Sequence, residues 1–126
     1  MNNKEQAIHR FWSSFGIVAY DEQTVPTGIN SPEPPYITYE VVTGNIENPV
    51  SLSASIWYRG TSWLPVTTKL HEIEQYLGYA GRIEKIEGGR VWFMRGSPFA
   101  QRMSDDSDSM IRRIYINITA EFLTAT

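Results

Sequence analysis

From Ile114 to Phe122 the chain alternates without a break. Ile114, Ile116, Ile118, Ala120 and Phe122 take every second position, with Arg113, Tyr115, Asn117, Thr119 and Glu121 in phase between them. A side-chain period of two marks a strand with one apolar and one polar face. Val50–Tyr58 repeats the pattern, Val50, Leu52, Ala54 and Ile56 alternating with Ser51, Ser53, Ser55 and Trp57. Two such strands call for a sheet with one face on a core and one face wet, the antiparallel signature.

The segment ahead of the best strand reads differently. Gly96–Ser109, GSPFAQRMSDDSDS, looks like a long polar loop, far beyond the roughly 4–6 residues usual between elements. It carries both charge signs, Arg102 against Asp105, Asp106 and Asp108. Loops of that length in small domains are often functional, so we expect this one to be a contact surface.

The rest of the chain supplies elements to cover the sheet. Ile8, Phe11, Trp12 and Phe15 form one stripe of a helix ending near Phe15, capped by Asn3 and closed by Gly16. Ile17–Tyr20 reads as a short strand. The proline-rich segment between Tyr20 and Tyr36 excludes helix and central strand and reads as a surface loop. Tyr36–Val42 is a strand, and Thr43–Pro49 a turn. Trp63–Tyr79 is a second helix, with Pro65 in its first turn and an apolar side of Leu64, Leu70, Ile73 and Leu77. Arg82–Glu87 and Arg90–Arg95 flank Gly88-Gly89, a hairpin signal. The expected order is α-β-β-β-α-β-β-β. The expected fold is α+β, with a mostly antiparallel, mixed sheet of about five to six strands and both helices on one face.

At 126 residues the chain is expected to form one domain over 1–126. It has no run of about 18 apolar residues and no basic-then-apolar start, so neither a membrane span nor a secretory signal is expected. With no cysteine it has no thiol nucleophile and no zinc-thiolate site. A net charge of -3 argues against general nucleic-acid binding, which requires a basic surface. A soluble protein made in the cytoplasm is expected. Four tryptophans, seven tyrosines and five phenylalanines exceed what one small core readily absorbs, so some aromatics are expected at a contact with another chain.

Catalytic signals are thin. His9 and His71 each lie on a helix without a second histidine at metal-binding spacing, and a helix-surface role fits both. The acidic run Ser104–Ser109 lacks the glycine and closing glutamate of a calcium loop. Pairing with Arg102, Arg112 and Arg113 is its natural use. Ser53 and Ser55 have no histidine–acid partners in view. Trp57, Tyr58, Trp63 and Trp92 could form a sugar platform, but packing accounts for each of them. No catalytic, metal or cofactor-binding residue is expected.

Four segments taken in order, EQAIHRFWSSFGIVAYDEQTVP, PPYITYEVV, VSLSASIWYRGTSW and RGSPFAQRMSDDSDSMIRRIYINITAEF, resemble the tail terminator proteins of long-tailed phages and prophages of Gram-positive bacteria. These are similar in architecture to the terminator of lambda-like phages. The resemblance spans nearly the whole chain and rests on the combined order and spacing. It implies a structural virion protein at the head-proximal end of the tail, assembled in the bacterial host cytoplasm. Such a protein acts as a hexameric ring without cofactor or catalysis. It ends polymerisation of the tail tube protein and offers a surface to a head-completion or neck protein. The family fixes no contact residues by motif. The interface residues expected from the residues themselves are Arg102, Asp105, Asp106, Asp108, Arg112 and Arg113. A neck head-completion or adaptor protein, and a small carbohydrate-binding module, are the competing readings.

Overall fold

The computed structural model describes residues 4–40 and 50–124. Helix α1 (Lys4–Trp12) runs into a 3₁₀ turn at Ser13–Phe15, which Gly16 ends with a left-handed φ of 80°. Strand β1 (Ala19–Asp21) precedes a 3₁₀ turn at Gly28–Asn30, and β2 (Tyr36–Tyr39) and β3 (Val50–Arg59) follow. Helix α2 (Leu64–Leu77) then leads to β4 (Arg82–Ile86), β5 (Gly89–Met103) and β6 (Ile111–Thr124). The six strands form one sheet in the order β1-β2-β3-β6-β5-β4. Only β1 and β2 run parallel; the other neighbours are antiparallel. This is the α+β fold that the alternation implied. The Asn3 cap, the Thr43–Pro49 turn and the end of the Tyr36–Val42 strand lie outside the described residues.

The core holds one parity of each central strand. Leu52, Ala54 and Ile56 of β3, Ile114–Phe122 at alternate positions of β6, and Val91 and Phe93 of β5 are all buried. The stripes of α1 and α2 pack onto that face. Phe11 stacks on Phe93 with centroids 4.5 Å apart, and Trp12 meets Phe11 edge-on at 4.9 Å. Burying one such ring contributes about 1.5–3 kcal/mol. In α2 the buried positions are Val66, Ile73 and Leu77, while Leu64 is exposed. Val66, Leu70, Ile73 and Leu77 follow the i, i+4, i+7, i+11 spacing of one helical face, whereas Leu64 lies nine residues and so half a turn of phase from Ile73, which points it outward.

The sheet curls far enough that α1 touches both of its edge strands, β1 and β4. Arg10 donates to the Lys85 carbonyl at 3.2 Å on β4, and His9 Nδ1 meets the Tyr39 hydroxyl at 2.7 Å on β2. A helix lying across the open side of the sheet in this way restricts access to the β4 edge.

Two further sequence expectations fail, and both fail for backbone reasons. The β4–β5 turn is Glu87-Gly88 rather than Gly88-Gly89: Ile86 pairs with Gly89, and Gly88 alone takes a positive φ of 80°. More consequentially, Gly96–Ser109 is not a loop. Strand β5 continues to Met103, and only Ser104–Met110 connects it to β6. Arg95 pairs with Ile118 and Ala100 with Ile116, so Gly96, Ser97, Pro98 and Phe99 together oppose Asn117. Such a bulge accommodates Pro98, which has no N–H to give a ladder. The Asn117 amide donates to the Pro98 carbonyl at 3.3 Å.

Candidate interaction surface

Because strand side chains alternate, Arg112 and Arg113 leave β6 on opposite faces. Arg112 pairs with Tyr58, and Arg102 with Ile114, on the helix-covered face. Both guanidinium groups reach the Trp63 ring at the start of α2, Arg102 at 4.6 Å and Arg112 at 5.5 Å from its centre. Each contact is worth about 0.5–1 kcal/mol where solvent reaches it. Arg112 also donates to the carbonyls of Ser109 at 2.8 Å and Thr61 at 3.4 Å, pinning the end of the β5–β6 connection to the β3–α2 connection.

Arg113 emerges on the uncovered face. Its Nε donates to Ser55 Oγ at 2.9 Å and its guanidinium lies 4.6 Å from the Trp57 ring centre. Trp57 is in turn stacked on Tyr36 at 6.0 Å, and Tyr36 meets Tyr20 edge-on at 6.0 Å. The Trp57 indole N–H donates to Thr38 Oγ1 at 2.9 Å. The result is an ordered row, Arg113–Trp57–Tyr36–Tyr20, crossing four strands on the face away from the helices. Burial, then the Asp105 carboxylate and Tyr20, push the Tyr36 phenol above its ordinary value. Sequence reasoning missed this row. The register of Tyr36 opposite Trp57 is what creates it, and no local pattern reports register between strands.

The acidic run pairs elsewhere than expected. Asp108 accepts from Arg59 Nε at 2.9 Å and from the Met110 N–H at 2.9 Å. The Met110 bond first, and then Arg59, lower its carboxyl below the ordinary range. Asp105 accepts from the Ser107 hydroxyl at 2.6 Å and the Ser107 N–H at 2.8 Å, which lower its carboxyl likewise. Asp106 is exposed. None of the three makes an ion pair with Arg102, Arg112 or Arg113 among the described residues. The expected set is therefore brought to one end of the sheet but divided between its faces, and its charge pairing is assigned to Arg59.

A small pocket opens between α2 and the β5–β6 ribbon. Leu70, Ala100 and Ile114 line it together with Thr67, Gln101 and Arg102, around about 140 Å³. His9 and His71 sit on helix surfaces as the sequence suggested: His9 bonds Tyr39 and also Ser13 Oγ at 3.3 Å, and His71 faces Glu74 at 3.0 Å. Among the described residues no group of three or more His, Asp or Glu is placed to hold a metal ion, and no helix is long and apolar enough to cross a membrane. No family model matches the chain, and neither a curated protein nor a solved structure matches it.

Proposed function

We propose that this chain is a structural protein of a phage or prophage tail, a terminator that caps the head-proximal end of the tail tube as a ring. In that role it ends tube polymerisation and presents the surface to which a head-completion or neck protein joins. The role requires no cofactor and no catalytic step. The observation that carries the reading is the uncovered sheet face with its row of Arg113, Trp57, Tyr36 and Tyr20. Aromatic and arginine side chains are the groups enriched at the centres of protein interfaces. A ring protein seated on a tube needs such a face, plus two unlike lateral patches, because head-to-tail contacts close only through heterologous surfaces. The order and spacing of the four segments that resemble terminators support the same role.

The test is the absolute mass of the purified protein by light scattering, alone and with purified tail tubes. A hexamer, or a monomer that becomes ring-bound only at tube ends, is the expected result. A persistent monomer that ignores tubes overturns the proposal.

A further inference from the structure

We infer that neighbouring copies of this chain are joined by a knob and a hole: Ile29 of one copy enters the pocket between α2 and the β5–β6 ribbon of the next. Glu33 of the first copy then lies against Arg102 of the second. The inference rests on the ring reading above and names its lateral contact.

Ile29 is 101% exposed, a fully solvated aliphatic side chain at the crest of the β1–β2 connection. Its turn is already fixed. Gly28 takes a left-handed φ of 68°, and its carbonyl accepts from the Ser31 N–H at 3.1 Å and the Ser31 hydroxyl at 2.7 Å. A knob held before contact loses little conformational freedom when it docks. The pocket supplies the complement, an apolar floor of Leu70, Ala100 and Ile114 in a volume that admits one side chain rather than a folded element.

Charge sets the orientation. Arg102 at the pocket rim lies over Trp63, its guanidinium 4.6 Å from the ring centre, and among the described residues it has no carboxylate partner. Glu33 lies four residues beyond Ile29, is exposed, and likewise makes no ion pair. Knob and hole are not joined within one chain: Ile29 is fully exposed, and the residues that line the pocket belong to α2, β5 and β6 rather than to the β1–β2 connection. They lie on different parts of one subunit, so the contact is heterologous and propagates from copy to copy.

The cysteine-free chain makes the test direct. In the double variant Ile29→Cys/Thr67→Cys, mild oxidation of the assembled protein is expected to give a ladder of covalent oligomers ending at the ring. Each single variant is expected to stay monomeric on oxidation, because its cysteine faces no second thiol at this contact. Rings of unchanged mass without a ladder overturn this contact while leaving the ring reading intact. Failure of the wild-type chain to assemble, alone or on tail tubes, overturns the ring reading and this contact with it. A charge swap tests the pairing separately. Arg102→Glu and Glu33→Arg are each expected to weaken assembly by roughly fivefold, the upper end for one exposed ion pair. Combining them restores it, and a double variant no better than the singles overturns the pairing.

Discussion

Gly96 and Asn117 approach so closely that a Cβ added at Gly96 would stand 2.9 Å from the Asn117 Cβ and 2.9 Å from its carbonyl oxygen. The glycine is required by packing across the bulge. Gly96→Ala is therefore expected to destabilise the protein by about 1–3 kcal/mol, the usual cost of overpacking. Gly60→Ala is the control, since nothing lies within 4 Å of a Cβ there. It should fall within about 0.5 kcal/mol of wild type. Urea denaturation of the two variants decides the matter, and equal midpoints would show that the bulge relaxes freely.

Arg113 spans Ser55 and Trp57, one by a hydrogen bond and the other by a cation–π contact 4.6 Å from the ring centre. Lysine keeps the charge but has neither the Nε–H donor nor the flat guanidinium. Arg113→Lys is expected to cost about 1 kcal/mol, the sum of a weak stack and one side-chain bond. It should also move the indole N–H resonance of Trp57, identified by its loss in Trp57→Phe. An unmoved resonance with unchanged stability would mean that Arg113 merely rests against the ring.

Asp105 and Asp108 both have carboxyls lowered by bonds within Ser104–Met110. A carboxyl depressed in the folded state contributes stability that is present above its unfolded pKa and lost as pH falls through its folded one. The Ser104–Met110 connection should thus stay closed at neutral pH and loosen only below the ordinary carboxylate range. Hydrogen exchange at the Met110 amide, which bonds Asp108, is the readout. Its protection should fall at acid pH in wild type and be low at every pH in Asp108→Ala. Protection independent of pH in both proteins would overturn the assignment.

What the sequence disclosed follows from which forces are local. The alternation in Ile114–Phe122 translates directly into burial, since every second residue meets the helices, whereas in β3 the run Leu52–Ile56 is buried on both faces. Gly96–Met103 could not be read as a strand. Gly-Ser-Pro is loop chemistry by every local criterion, and only the long partner β6 holds the segment in the sheet. Ser53 and Ser55, at 7% and 3% exposed, look solvated in the sequence but are buried, Ser55 with its hydroxyl bonded by Arg113. The arginines at 112 and 113 were assignable to opposite faces by parity. Their partners Trp63, Ser55 and Trp57 were not, because those contacts depend on strand register and on where α2 begins.

Tyr36 lies at the middle of the aromatic row, stacked on Trp57 and edge-on to Tyr20, and half-buried without helix cover. If the row is the seat on the tube, Tyr36→Ala removes its central contact and leaves the Phe11–Phe93 core untouched. Central aromatic contacts in interfaces are typically worth about 2 kcal/mol or more, roughly thirtyfold in affinity. The variant should fold, keep its far-ultraviolet circular dichroism, and cap tubes only at concentrations raised by about that factor. Tyr79→Ala is the matched comparison. Tyr79 is 100% exposed just beyond α2 and away from the row, so its loss should alter neither stability nor capping. Tube length distributions, measured by electron microscopy over a titration of each variant, separate the two. Equal capping by both would remove the uncovered face from the tube contact and shift the search to the sheet's opposite side.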